Sequence, residues 1–342
     1  MRICIIGDGT GNIDEGMKKA ALHLSQELSR NHQVLLVNPK RVFSKSFWRS
    51  IKNFNPQIVH YIPGPSIISF MIVKALAYYC RNIKTVMSAM HPGFYGYRGL
   101  FYGPYNAFSS ISKNLIPLLK PNLILVQSPQ SERMFTKLGC KTQFLPNGVD
   151  TEKFIPVSQA NKKELRRKYS INEGKFVILH VGSIKRWRNV RLLKKLRYDN
   201  NQVLIVGSTS TGRDKGLCQE LERDGCLVWT GYVKNIEEVY ALSDCYVFPT
   251  MEEKIGSIEM PLSVLEAMSC NLPVIATRFG ALPRTFDEGD GLIFANKEDN
   301  FHQGIGIIKG GHLAVKTRDK ALAYSWEDVA KRLEEIYEQI SV

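Results

Sequence analysis

The chain has 342 residues, 44% of them hydrophobic, with 46 Lys and Arg against 32 Asp and Glu. Near-average Gly (26) and Pro (15) and no repeat period of about 20–50 residues exclude collagen-like, solenoid and disordered classes, leaving room for two domains. Most of the net charge of +14 lies in residues 1–156, where 19 cations face 7 anions; twelve Lys and Arg but no acidic residue fall between Glu27 and Glu132. So lopsided a charge fits an anionic partner surface.

In chain order, the sequence opens on a strand-like run at 2–6 and not on a signal-peptide pattern. Further short apolar runs follow at 33–37, 57–62, 83–88 and 122–127. After a polar, charged stretch at 156–175, the pattern restarts at 176–181 and continues at 202–206, 226–230, 245–248, 273–276 and 291–294. Runs that are apolar throughout, without alternation, predict parallel strands buried on both faces. Helix-period segments lie between them, beginning with Met17, Ala20, Ala21, Leu24 and Leu28. Twofold strand–helix alternation predicts two doubly wound α/β domains, at 1–156 and 157–324. A last helix over 325–342 carries Trp326, Val329, Leu333, Ile336 and Ile340 on one stripe. The longest apolar run, 67–80, contains Lys74 and is too short to cross a bilayer. Seven cysteines without a Cys-x-x-Cys pair predict reduced thiols in a cytoplasm, with the protein dissolved or peripheral on a membrane.

Ligands of open parallel sheets sit at the carboxyl ends of strands, so the loops there are the candidates for chemistry. After the first strand, Gly7, Gly9 and Gly11 let backbone approach a ligand, although Asn12 breaks the dinucleotide fingerprint. After 176–181 the loop Gly182, Ser183, Ile184, Lys185, Arg186, Trp187, Arg188 places three cations in four positions, a good anion site or a solvated basic loop. Pro261 suits the first turn of a helix whose amides, around Met260, Leu262 and Ser263, can hold a diphosphate. Glu266 follows within an apolar stretch and needs a partner, either an ion pair or a pair of ribose hydroxyls. His91 follows the run at 83–88 and is either a site residue or a loop histidine, whereas His60, inside a strand, reads as structural.

Residues 146–150 with Phe154, the loop 182–189, and the segments 231–233, 242–244, 247–250, 265–268, 273–277 and 325–337 form one ordered series. The series resembles family 4 glycosyltransferases in order and spacing. That resemblance implies a GT-B fold, two facing Rossmann-like domains with a C-terminal helix crossing back to the first. It also implies retention of anomeric configuration, no required metal or other cofactor, a nucleoside diphosphate sugar held mainly by the second domain and an acceptor by the first. On the family pattern Glu266 binds the nucleotide ribose and Arg188 takes the place of the phosphate-binding lysine. Ser183 stands where an arginine is usual, and Lys185 or Arg186 would supply the missing cation. His91 corresponds to a histidine near the sugar. The first of the family's paired glutamates falls on Ile258, with Glu259 one step off register, and the usual Gly-Gly-x-x-Glu reads Gly280, Ala281, Leu282, Pro283, Arg284.

These readings predict a retaining glycosyltransferase acting on a lipid-linked or other anionic acceptor at the cytoplasmic membrane face. His91, Arg188 and Lys185 would be catalytic. Gly11, Gly182, Ser183, Arg186, Glu259, Met260, Pro261, Leu262, Ser263 and Glu266 would bind the donor. The alternatives are a nucleic-acid-modifying glycosyltransferase, for which no binding motif is present, and a non-catalytic relative. The segment 40–54 interleaves Phe43, Phe47, Trp48, Ile51 and Phe54 with Lys45, Arg49 and Lys52, and 95–102 adds aromatic residues and Arg98. Such surfaces suit an anionic lipid interface, unless the apolar face packs on the sheet.

Overall fold

The computed structural model describes residues 1–91, 115–209, 212–251 and 257–341. Its packing divides into two units. The first comprises Met1–Asn147, Ile258–Met260 and the chain from Trp326 onward; the second comprises Gly148–Ser257 and Pro261–Ser325. The expected boundary after 156 therefore moves to 147. Val149 pairs with Ser325, and Phe154 packs edge-on to Tyr240 at 5.5 Å, all within the second unit.

The first unit holds strands β1 (Arg2–Ile6), β2 (Gln33–Val37), β3 (Ile58–Tyr61), β4 (Lys84–Ala89), β5 (Leu123–Val126) and β6 (Thr142–Phe144). They form one parallel sheet in the order β2-β1-β3-β4-β5-β6. Helices α1 (Gly16–Leu28), α2 (Lys45–Phe54), α3 (Ile67–Cys80) and α4 (Pro129–Lys137) connect these strands. The second unit has helix α5 (Gln159–Lys168) and strands β7 (Phe176–Val181), β8 (Asn201–Val206), β9 (Leu227–Trp229), β10 (Cys245–Phe248), β11 (Val274–Ala276) and β12 (Leu292–Phe294). These are again parallel, ordered β12-β11-β10-β7-β8-β9. Its remaining helices are α6 (Lys215–Arg223), α7 (Ile236–Ala241), α8 (Leu262–Ser269), α9 (Leu282–Thr285), α10 (Glu298–Lys309) and α11 (Thr317–Leu322). The expected strands all appear, and β6 is added: its Thr142 and Gln143 at a sheet edge give no apolar run to read.

The final helix, α12 (Trp326–Ser341), belongs to the first unit and buries the expected stripe, with Ala330 and Tyr337 added. Trp326 stacks on His23 of α1, ring centroids 5.1 Å apart and 5° from parallel. Deeper in, His60 of β3 is fully buried; Nδ1 lies 2.6 Å from the Tyr337 hydroxyl and Nε2 lies 2.8 Å from the Ser88 hydroxyl. Strands β3 and β4 thus share one polar joint with α12, which fixes the helix in place as well as burying it.

The segment 40–54 is resolved in favour of packing. Phe47 and Ile51 are buried in the sheet core, and Trp48 donates its ring N–H to the Val42 carbonyl at 2.7 Å. Lys45, Arg49 and Lys52 remain outside. Exposed apolar surface comes instead from Phe43, 94% exposed, and from the outer stripe of α3, namely Ile68, Met71 and Tyr78. The aromatic segment 95–102 lies outside the described residues.

Burial pushes His60 down to about 3, so it is neutral in the fold. The unfolded chain takes up this proton near pH 6.5. The joint's contribution is therefore complete above pH 6.5 and declines between 6.5 and 3, by about 1.4 kcal/mol per pH unit at most. His60→Gln is expected to lower Tm at pH 7.5 yet flatten its fall between pH 6.5 and 4.5. Parallel Tm–pH curves for the two proteins would contradict a neutral buried His60.

Candidate active site

In the second unit, the carboxyl end of β7 and the first turn of α8 are joined by one side chain. The Tyr246 hydroxyl on β10 lies 3.3 Å from the Val181 carbonyl and 2.7 Å from the Ser263 hydroxyl. That contact brings the loop Gly182–Arg188 to the start of α8, where Pro261 precedes amides with no helical acceptor. The apolar sequence of α8 makes the helix almost wholly buried, so its orientation is set by packing on β10 and β11.

Glu266 is carried inward on α8 and is 4% exposed. Its Oε2 accepts a hydrogen bond from Tyr240 at 2.8 Å. Tyr240 in turn is held by Phe154 and lies 5.9 Å from the Tyr246 ring. Burial first, and then the Glu266 charge, push the Tyr240 phenol well above its ordinary range, so it stays a donor. The carboxylate is thus oriented by the Tyr240 hydroxyl.

In the cation loop the three side chains differ. Arg186 is 60% exposed and pairs with Asp214 at 2.9 Å, which places it at the rim. The Lys185 ammonium sits 4.8 Å from the Trp187 ring centroid. Arg188 turns back over the strand end: a Cβ added at Gly182 would lie 3.3 Å from Arg188 Nη1 and 3.4 Å from His180 Nε2. Glycine at 182 therefore keeps a small space open between a guanidinium and an imidazole. Ser183 is buried beneath this loop.

The other expected residues lie in the first unit. His91 is buried just after β4. Glu259 and Met260 pack within the first unit. The Glu259 N–H donates to the Met90 carbonyl at 2.7 Å, and its Oε1 accepts from Ser128 at 2.5 Å and Ser131 at 2.6 Å. Met260 receives Gln127 on its N–H and offers its carbonyl to Asn147. Burial raises the Glu259 carboxyl, against the serine hydrogen bonds that lower it. Its carboxylate oxygen Oε1 is engaged by hydroxyls at the start of α4.

The glycine loop after β1 is closely packed. A Cβ at Gly7 would lie 2.5 Å from Ala21 Cβ, and Gly11 has φ +73°, so both are required by the turn into α1. Asp8 organises the loop by accepting from Thr10, Asn38 and Lys40. Burial would raise its carboxyl, but the Thr10 and Lys40 hydrogen bonds outweigh this and hold it at about 2.

Residues 161–310, which include the cation loop and Glu266, match the family described as glycosyl transferases group 1. The match covers most of the second unit and, apart from Ile258–Met260, lies outside the first. It is 23% identical over 344 aligned residues to an uncharacterized glycosyltransferase of Methanocaldococcus jannaschii, covering 94% of this chain and 77% of that protein. It spans about half the length of several other curated relatives it matches. Among solved structures, sucrose-phosphate synthase from Thermosynechococcus elongatus shares the fold with a TM-score of 0.79, at 18% identity over 99% of this chain and 98% of that one. HepE of Anabaena, solved in complex with UDP-glucose, gives 0.74 at 14% identity, over 99% of each chain. The transferase therefore has the fold expected from its sequence, two Rossmann-like units with the last helix in the first.

Tyr240, Tyr246 and His180 are passed over by sequence reading, the tyrosines because they read as core aromatics. The one available signal for His180 is that it is the sole polar residue of β7, FVILHV.

Proposed function

We propose that this enzyme transfers a glycosyl group from a nucleoside diphosphate sugar, with retention, to a lipid-linked or otherwise anionic acceptor on the cytoplasmic face of a membrane. The observation that carries the donor half is the joint described above: a buried Glu266 on α8 and a cationic loop ending in Arg188, brought to the start of the same helix by Tyr246. Glu266 would accept from two ribose hydroxyls. Arg188, Lys185 and the first amides of α8 would take the diphosphate. The UDP-glucose bound by HepE, a relative in fold, supports this donor class.

In the reaction so assigned, the bond between the sugar C1 and the diphosphate oxygen breaks, and its electron pair leaves with the diphosphate. The acceptor oxygen forms the new bond to C1 on the same face, and its proton passes to the departing phosphate. Fixed cations and helix amides stabilise the charge that develops on the leaving group. In this scheme they, and not a divalent cation, do so. His91, Gly11 and the acceptor belong to the half of the reaction assigned to the first unit.

The acceptor reading rests on the basic first unit. Lys45, Arg49 and Lys52 on α2 and Lys74 on α3 are exposed, as are Phe43, Met71 and Tyr78, and the sequence has no acid from 28 to 131 to offset these cations. Cations beside an exposed apolar stripe suit an anionic leaflet, each contributing about 1 kcal/mol near the surface. Among the described residues no helix is long and apolar enough to cross a membrane.

Three outcomes are expected. Glu266→Gln, which keeps an acceptor for Tyr240, should weaken donor use roughly tenfold or more, and Arg188→Ala should lower kcat/KM further than Lys185→Ala. Unchanged donor kinetics in both Glu266→Gln and Arg188→Ala would overturn the donor assignment. Turnover should persist in excess EDTA; loss in chelator with recovery on adding Mg²⁺ or Mn²⁺ would contradict fixed-cation catalysis. Finally, the protein should sediment with anionic liposomes at low salt, less so at high salt. Reversing Lys45, Arg49 and Lys52 to Glu, or placing Asp at Met71 and Tyr78, should each reduce binding. Equal affinity for neutral liposomes, or preferential binding to duplex DNA, would remove the membrane reading.

A further inference from the structure

His180 stands on the central strand β7 with no solvent exposure. Its Nδ1 lies 2.9 Å from the Val247 carbonyl, which can only accept, so Nδ1 carries the proton. In the neutral ring Nε2 is then a lone-pair acceptor, and this buried atom has no hydrogen-bond partner. Such an atom carries a desolvation cost that a core normally avoids by pairing it. Here it borders the space kept open at Gly182, and the other polar atom bordering that space is Arg188 Nη1. Each lies within 3.4 Å of the same point. Tyr246, the residue that ties β7 to α8, stacks on the His180 ring at 6.4 Å and 21°.

We infer that His180 is a positioning residue for donor binding: its Nε2 accepts a hydrogen bond from Arg188 when the guanidinium turns to a bound diphosphate, fixing which edge of the fork meets the phosphate oxygens. This rests on the donor reading above and goes beyond it. A guanidinium has five N–H donors in a rigid plane, so one anchored donor sets the direction of the rest. The acceptor must be neutral, because an imidazolium would repel Arg188. Burial, with the Arg188 charge adding to it, pushes His180 down to about 4 and keeps it so, against the opposing Val247 hydrogen bond. Glycine at 182 leaves room for this contact, since a Cβ there would stand 3.3 Å from Arg188 Nη1 and 3.4 Å from His180 Nε2.

The test is a double-mutant cycle read by calorimetric titration with UDP and GDP, with Tm measured for every variant. His180→Phe preserves an aromatic ring stacked on Tyr246 but removes the Nε2 acceptor and, with it, the Nδ1–H bond to Val247. It should weaken binding of the preferred nucleotide about tenfold, and any fall in Tm from the lost Val247 bond should be the same with and without Arg188. His180→Gln, whose amide oxygen can stand in for Nε2, should recover much of that loss. In the Arg188→Ala background, His180→Phe should cost nothing further. Wild-type affinity in a folded His180→Phe, or equal losses with and without Arg188, would overturn the inference. If His180→Phe does not fold, His180→Gln at near wild-type affinity together with His180→Ala weakened only when Arg188 is present decides it. Failure of the donor reading is distinguishable: there Arg188→Ala itself leaves nucleotide affinity unchanged.

Discussion

A carboxylate taken out of water must be held by donors, and Glu266 imposes that requirement on the middle of the second unit. Helix α8 carries it into a surround of apolar side chains, where Tyr240 supplies a hydrogen bond. Tyr240 needs Phe154 against its edge, and Arg318 holds the backbone of Phe154 and Thr151 through its guanidinium. The start of this unit, the helix α11 bearing Arg318 and the buried aromatic row on α7 and β10 are thus linked to one charged group.

The same aromatic row continues from Tyr240 through Tyr246 to His180 and reaches the cation loop. Rigid side chains therefore connect the residue assigned to the ribose with those assigned to the diphosphate. Preorganisation of this kind matters because groups already in place need not be reorganised as charge develops. The first unit is built differently. Its polar joint, His60 with Tyr337 and Ser88, fixes the last helix, and its charge is spread over exposed lysines and arginines instead of being focused at one point.

Much of this was legible in the sequence because parallel strands buried on both faces must be apolar throughout, and such runs stand out. The strand β6 did not stand out, since Thr142 and Gln143 sit at an edge where burial is partial. Amphipathicity in α2 was legible, but periodicity does not say what covers the apolar face; the sheet covers Phe47 and Ile51, and the exposed apolar stripe lies on α3. Glu266 was readable as a charge within an apolar helix. Glu259 was not readable, because only the fold shows that Ile258–Met260 pack with β5 and α4, where Ser128 and Ser131 take the carboxylate. His180 carried a weak signal for a similar reason: its role depends on the pairing partner of its strand and on a glycine two residues on.

The most direct measurement is a crystal structure of the protein with a nucleoside diphosphate bound. The account predicts the diphosphate against Gly182, Arg188 and the first amides of α8, with both ribose hydroxyls on Glu266 and the Tyr240 contact retained. A nucleotide bound elsewhere, or a ribose held without Glu266, would contradict it.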